Sequence, residues 1–515
     1  MRLLLTTIDN NSIQTKLALK YLYGVLADSP AEVEVIEFRE EDSDKAIYDK
    51  IVCSRYNIIY FHCNMMNEDR INTLCEVVKM AMPTSIIVVG GMQVSFDTGE
   101  YLKRNPMVDF AVRGEAEQVM FNFIKTIVTY EFDFGGIAGL AYRHNDEICV
   151  NAYEAPIKFE DIPFPYERFD VDPEGVAYYE SFRGSVDRCT YSQFLPDRKI
   201  RSLSLSRVCS EMRYFLIKNV REVRFVEKWF NYSAERAYRI WEYIINNDNG
   251  ITKFRFDIDG DMLDDETIRL LSRARKGLFE FDVDVESTNA ETLDAVGRKA
   301  NIYQLMYNLS KLLQEGTVYV NVYLRLGLPF DTPRLFERAF DKVYGLGATT
   351  FNIEVLKMKK GTVLRENASK YGYLYSSRAP YEVVSNDFMK AADFIRIRMI
   401  ARLAAIYSCG GFNDSIAKIA SDLNLKPFGL FAGIYDYVSD NALYDKLDKK
   451  ENLYRTLYAF ATSAYDSESE TLQLPLLMQI LHSDMENTLS DEELRQFDSK
   501  GWAFTNKAQD VISRY

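Results

Sequence analysis

The strongest constraint on this chain is a repeated order: a short run of β-branched and aromatic residues, a polar loop, then an amphipathic stretch. Up to about residue 135 it occurs five times, with strand candidates at L-L-L-T-T-I (3 to 8), V-E-V-I-E-F (33 to 38), N-I-I-Y-F-H-C (57 to 63), S-I-I-V-V-G-G (85 to 91) and F-A-V-R-G (110 to 114). Parallel strands need a crossover, and a helix is the usual one, so the pattern predicts a doubly wound parallel sheet. An irregular bridge follows over 136 to 177, with a hairpin signal in G-L-A-Y-R-H-N-D-E and an extended D-I-P-F-P-Y. Six further strand candidates then alternate with helices: 177 to 182, 222 to 226, 253 to 258, 278 to 285, 318 to 326 and 349 to 355, the signature of a partial β/α barrel. The remainder, from about 365 to 515, is helical by periodicity. The expected fold class is α/β, with units at 1 to 135, 178 to 364 and 365 to 515 and a linker at 136 to 177.

A chain of 515 residues exceeds what one core holds, in keeping with this division. No apolar run reaches membrane-spanning length. The opening M-R-L-L-L-T-T-I-D-N reads as a strand rather than a signal peptide. Seven scattered cysteines with no C-x-x-C pair point to a reducing compartment, with cytoplasm as the expectation. A net charge of −14 disfavours a nucleic-acid partner.

Open parallel sheets bind ligands beyond the carboxyl ends of their strands, so the loops 9 to 15, 62 to 67, 90 to 95 and 114 to 117 should share one mouth. Gly90 and Gly91 there permit positive φ or close backbone approach, for a flat ligand or a tight turn alike. In the second half, Asp257, Asp259, Asp282, Asp284 and Glu286 recur with period two on neighbouring strands. Inward-facing carboxylates would crowd, raising their pKa values or inviting a cation, and Arg325 is placed to neutralise them or to grip a substrate carboxylate.

In order along the chain, S-I-Q-T-K-L-A-L-K-Y-L (12 to 22), G-G-M-Q-V-S-F-D (90 to 97), N-P-x-V-D-F-x-V-R-G-E-x-E (105 to 117), D-I-P-F-P-Y (161 to 166), Y-Y-E-S-F-R-G (178 to 184), V-R-F-V-E-K-W-F-N (223 to 231), F-D-V-D-V-E-S-T-N-A-E-T-L (281 to 293) and L-G-L-P-F-D-T (326 to 332) resemble the cobalamin-binding radical S-adenosylmethionine (SAM) enzymes. Within them the chain is most similar to the group with a helical C-terminal extension. The resemblance implies a cobalamin at the mouth of the first sheet, facing a barrel that binds SAM. It implies cofactor contacts from Asn11, Ser12, Gln14, Thr15, His62, Asn64, Gly90, Gly91, Gln93, Ser95, Gly114 and Glu115, with Gln93 and Ser95 on the nucleotide tail or corrin amides. Glu227 matches the acidic part of the motif that holds the SAM amino group.

One part of the pattern departs from the family. Where relatives carry three cluster-binding cysteines spaced x3 then x2, this chain has Ser185, Cys189 and Ser192. Serine hydroxyls stay protonated near neutrality and are poor ligands for iron–sulfur iron, so no 4Fe–4S cluster is expected. The expected activity is therefore non-radical, cobalt-mediated chemistry such as methyl transfer to a small-molecule substrate, with Asp257, Glu286 and Arg325 as candidate catalytic residues and an external reductase as the electron source. The alternative is a non-catalytic cobalamin-binding sensor, carrier or partner subunit.

Overall fold

The computed structural model describes residues 1–9, 13–145, 147–186, 188–408, 411–465 and 473–502. Its first sheet has seven strands in the order β2-β1-β3-β4-β5-β6-β7, namely β1 (Arg2–Asp9), β2 (Glu32–Arg39), β3 (Ile58–His62), β4 (Ile86–Gly90), β5 (Phe110–Val112), β6 (Leu140–His144) and β7 (Glu147–Val150). The first five are parallel, as the alternation predicts. Successive strand residues feed two separate cores. Leu4, Ile59, Phe61, Ile87 and Val89 pack with Ile47, Ile71 and Leu74 on one face, while Leu3, Leu5, Ile58, Tyr60 and Val88 pack with Leu22, Met120 and Phe123 on the other. Helices thus cover both faces, which is why these strands read as continuous apolar runs.

The hairpin expected in the linker belongs instead to this sheet. Strand β6 pairs antiparallel with β5, and β7 with β6, so the sheet runs on to Val150 rather than ending near 135. The three-residue β5 would otherwise leave an open edge, and the hairpin covers it.

The second sheet is parallel, in the order β15-β14-β13-β12-β11-β8. Its strands are β8 (Val176–Tyr179), β11 (Glu222–Phe225), β12 (Lys253–Ile258), β13 (Phe279–Glu286), β14 (Tyr319–Leu326) and β15 (Thr350–Val355). The first expected barrel strand is split: β8 stops at Tyr179, and β9 (Phe182–Arg183) pairs antiparallel with β10 (Arg201–Ser202) to frame the loop carrying Ser185, Cys189 and Ser192. Gly184 closes that frame at φ +102°, where a Cβ would lie 2.4 Å from the Lys199 carbonyl oxygen.

A short hairpin, β16 (Leu374–Tyr375) with β17 (Val383–Ser385), leads into the helical region from Ala391 onward. An aromatic seam joins that region to the barrel. Phe340 and Tyr344 on the helix Pro333–Tyr344 meet Phe428 and Phe431 on the helix Pro427–Asp440 at centroid distances of 5.3–6.2 Å. Among the described residues no helix is long and apolar enough to cross a membrane.

Candidate functional site

At the mouth of the first sheet, the loops after β1 and β3 are stitched by Asn67. Its amide donates to Thr7 Oγ1 (3.2 Å), the Ile8 carbonyl (3.1 Å) and the His62 carbonyl (3.4 Å). Asn64 accepts the backbone N–H groups of Met66 and Asn67, so it shapes the turn. His62 ends β3, and burial pushes its imidazole down to about 4, which keeps it neutral near pH 7. Asn11 and Ser12 lie outside the described residues, and Gln14 and Thr15 are described only as the first turn of the helix Ile13–Leu26.

The glycine pair is required by the protein's own packing. A Cβ on Gly90 would fall 2.3 Å from the Tyr60 hydroxyl, and one on Gly91, at φ +110°, 2.3 Å from the Cys63 carbonyl oxygen. Gln93 and Ser95, expected to contact a ligand, both point inward. Gln93 donates to Glu68 and to the Tyr381 hydroxyl (2.6 Å). Ser95 Oγ donates to the Gly91 carbonyl (2.9 Å) and accepts from the Gly114 N–H (3.0 Å). Ser95, a short polar side chain in a turn, satisfies nearby backbone groups, whereas Gln93 meets other side chains.

Two polar links carry this mouth across to the barrel. Arg183, 11 % exposed, meets Glu115 (3.2 Å), Glu117 (2.8 Å) and Glu180 (3.0 Å), and lies over the rings of Tyr21 and Phe159. Arg201 adds a second ion pair to Glu115. On the other side Lys360 meets Glu68 (3.0 Å) and Asp97 (3.5 Å), beside the Gln93–Tyr381 hydrogen bond. Between the sheets lies a cavity of about 660 Å³, its wall formed by Phe96, Tyr153, Phe194, Arg198, Arg365 and Tyr375 among others. That volume falls in the range of small-molecule sites.

In the barrel mouth the acidic rows do face inward, but most are neutralised. Asp282 takes a bidentate pair from Arg255 (2.7 and 2.7 Å) and Asp259 one from Arg298 (3.0 and 2.8 Å). Lys228 pairs with Asp284. Burial works against ionisation of Asp284, but Lys228 and Arg325 outweigh it and hold the carboxyl down at about 2. Asp257 keeps the expected upward shift: burial raises it to about 7 against the pull of Lys228, while its carboxylate accepts the Trp229 N–H (3.1 Å). A bulge in β13 between Asp284 and Glu286 puts Glu286 at φ +65°, where it receives both Arg325 donors (2.6 and 3.2 Å). Arg325 also reaches Glu354 (3.0 Å) and lies 5.2 Å over the Tyr191 ring.

Glu227 is buried. One of its oxygens accepts the Ser181 N–H (3.0 Å) and hydroxyl (2.6 Å); the other has no hydrogen-bond partner among the described residues. Burial pushes this carboxyl up to about 8. Cys189 and Ser192 border a cavity of only about 10 Å³, shared with Tyr191, Lys228, Trp229, Asp284, Glu286 and Arg298, whereas Ser185 is not in its wall and donates its N–H to the Arg198 carbonyl (3.1 Å). The basic partners Arg255, Arg298 and Lys360, the links from Arg183 to Glu115 and Glu117, and the hydroxyl of Tyr381 carry no spacing signal in the sequence, because each acts on a residue far away along the chain.

Three family models match: B12 binding domain over residues 5–124, Radical SAM superfamily over 179–343, and Protein of unknown function (DUF4080) over 369–514. The chain is 25% identical over 280 residues to an anaerobic magnesium-protoporphyrin IX monomethyl ester cyclase of Rubrivivax gelatinosus, covering 52% of this chain and 50% of the relative. It is 22% identical over 317 residues to the cobalamin-dependent radical SAM methyltransferase TokK of Streptomyces tokunonensis, covering 54% and 44%. The chain thus spans half or less of the length of these curated relatives. The solved structure of the radical SAM methyltransferase TsrM from Kitasatospora setae, with cobalamin and a [4Fe-4S] cluster bound, aligns over 95% of this chain and 99% of its own at TM-score 0.59 and 15% identity, a likeness of fold. The chain carries a B12-binding domain and a radical SAM domain, and is homologous to cobalamin-dependent radical SAM methyltransferases.

Proposed function

We propose that this chain is a cobalamin-dependent, methyltransferase-like enzyme that acts on a small molecule without a 4Fe–4S cluster. The carrying observation is the state of the cluster motif. Cys189 is its one thiol, and the cavity beside it, about 10 Å³, has room for a single water at most. Tyr191, Trp229 and Arg298 wall it in. The residues present do not fit a cluster.

They do fit the other two ligands. The buried, unpartnered oxygen of Glu227 suits the ammonium of SAM, a charge-assisted contact that would offset its desolvation. The 660 Å³ cavity opens between the carboxyl-end loops of both sheets, with Phe96, Tyr153 and Phe194 offering flat apolar surface to a corrin. Cobalamin bound there would supply a cobalt centre able to accept and donate a methyl group. Asp257, poised near neutrality, can hold or release a proton at its carboxylate. Arg325 and Glu286 lock each other and so orient the wall of the mouth instead of meeting a reacting atom. With no cluster as electron source, reducing equivalents come from an external reductase.

The test is reconstitution with iron, sulfide and hydroxocobalamin. A stoichiometric corrinoid spectrum without 4Fe–4S absorption is expected and, once a low-potential chemical reductant is supplied in place of the external reductase, loss of label from methyl-labelled SAM. A stoichiometric cluster would overturn the cluster-free reading, and failure to bind corrinoid would overturn cobalamin dependence. Corrinoid binding without demethylation of SAM would favour the second reading, a cobalamin-binding carrier or sensor, which the closed-off ion pairs of the barrel mouth also favour.

A further inference from the structure

The segment after Met358 is pinned on two sides. The Leu364 N–H donates to the Thr190 carbonyl (2.8 Å) and Gln193 donates to the Lys360 carbonyl (2.8 Å), tying it to the loop that carries Cys189 and Ser192. Gly361 rests on Phe96, beyond β4: a Cβ at Gly361 would fall 2.1 Å from that ring. The short helix Val363–Glu366 is thereby fixed at the cavity of about 660 Å³, and from it Arg365 lines the cavity together with Tyr375. Arg365 is held there but not neutralised. Its guanidinium carbon lies 4.7 Å from the Tyr381 ring centroid and 5.5 Å from that of Tyr375, and Nη1 donates to the Met358 carbonyl (2.8 Å). Among the described residues Arg365 forms no ion pair, and Nε and Nη2 have no acceptor. Lys360, also in the wall, is paired with Glu68 and Asp97. Of the acids in the wall, Asp97 is engaged by Lys360 and Arg104, and Glu366 is exposed and makes no ion pair with Arg365.

We propose that Arg365 anchors an anionic oxoacid group, a carboxylate or a phosphate, of the small-molecule substrate. The Nε–Nη2 edge of a guanidinium matches two oxygens of such a group at once, with two parallel charge-assisted hydrogen bonds. Two tyrosine rings and the Met358 carbonyl hold that guanidinium before a ligand arrives, so little ordering is lost on binding. A corrin ring carries uncharged amides at its edge, which leaves a charged receptor in the same cavity for the other ligand. The inference names the substrate class for the proposed function and rests on the reading that corrin and substrate share this cavity.

Benzoate and phenyl phosphate are the probes, with neutral benzamide as the control, because each joins a flat ring suited to the aromatic wall to a different head group. Calorimetric titration of the full chain at low ionic strength should show one of the two anions binding about tenfold or more tighter than benzamide, and the tighter anion identifies the group as carboxylate or phosphate. Arg365→Gln, whose amide can still donate to the Met358 carbonyl, should bring that anion down to the benzamide level. Arg365→Lys should keep part of the preference, showing that charge and not a fold defect is at stake. No preference for either anion, or a preference that Arg365→Gln leaves unchanged, overturns the proposal. Repeating the titration in the presence of hydroxocobalamin, or of cobinamide, which lacks the phosphodiester tail, tells substrate from cofactor. Anion binding that survives both supports a substrate group; displacement by hydroxocobalamin overturns that assignment, and if cobinamide does not displace the probe, Arg365 belongs to the tail phosphate. Corrinoid spectra taken on the same samples separate this inference from the reading it rests on: corrinoid binding without anion preference sinks only the anion site, and Arg365-dependent anion binding without corrinoid binding sinks only the cobalamin reading.

Discussion

A single oxygen of Glu227 accepts both the N–H and the hydroxyl of Ser181, at 3.0 and 2.6 Å, while its second oxygen is buried without a partner. A carboxylate anchored on one side and bare on the other is a pre-set receptor for a cation. Glu227→Gln should weaken SAM binding to the cobalamin-loaded protein about tenfold or more, the scale of one charged hydrogen bond. Burial holds the free carboxyl near 8, so wild-type affinity should rise with pH up to about 8 as the proton leaves, and the glutamine variant should show no such rise. Calorimetric titration across pH 6 to 9 decides this; equal affinities for both proteins would refute the assignment.

Arg183 ties the second sheet to the first through Glu115 and Glu117 and also holds its own neighbour Glu180, and replacing it with methionine strands all three carboxylates. Breaking a buried pair by removing one partner typically costs about 3–5 kcal/mol. The unfolding midpoint of Arg183→Met should fall markedly, and adding Glu117→Gln should recover part of the loss. Strictly additive effects in that double-mutant cycle would show the pair at 2.8 Å to be energetically idle.

Gly91 and Gly250 both have positive φ, at +110° and +77°, but only Gly91 has backbone in the path of a Cβ. Alanine at Gly250 should cost about 1 kcal/mol of backbone strain, whereas alanine at Gly91 must also push the Cys63 carbonyl away. Gly91→Ala should therefore lower the unfolding midpoint further and weaken corrinoid binding, which Gly250→Ala leaves alone. Matching behaviour of the two variants would show the mouth to be tolerant.

Asp331 is fully buried with neither oxygen hydrogen-bonded among the described residues, and burial raises its carboxyl to about 7. Its ordinary value is about 3.9. The native state therefore binds a proton that the unfolded chain has released between those values, so stability from this group is full below about pH 4 and is lost as pH rises through 7. Asp331→Asn should raise the unfolding midpoint at pH 8, with the gain shrinking toward pH 4. A gain independent of pH would contradict the linkage.

Strands β1 to β5 and the six parallel strands of the second sheet were legible because both faces of a parallel sheet are buried, leaving runs such as I-I-V-V that few other structures need. The acidic rows were equally legible, since alternation fixes their common face. Their chemistry was not: whether Asp282 stands bare or meets Arg255 depends on register between strands, and the bulge that turns Glu286 toward Arg325 leaves no mark in composition. Gln93 and Ser95 stand in the strand-end loop as the sequence places them, but the partners they find, Glu68 and Tyr381 for one and the Gly91 carbonyl for the other, carry no sequence signal. The hairpin β6–β7 was visible as a hairpin, but which sheet edge it joins is a tertiary fact.

The hydrogen bond from Gln93 to the Tyr381 hydroxyl spans 288 residues of sequence. Synthesis proceeds from the N-terminus at roughly 5–20 residues per second, so the first sheet, whose last strand ends at Val150, can be folded for about 12–46 s before Tyr381 exists to meet it. During that interval Gln93 and Glu68 lack their partners Tyr381 and Lys360. Contacts of such long separation form late. The structure thus carries an order of assembly: the mouth is shaped early, and is latched only after the segment leading into the helical region has been made, which sets a window in which a bulky cofactor can enter without displacing anything.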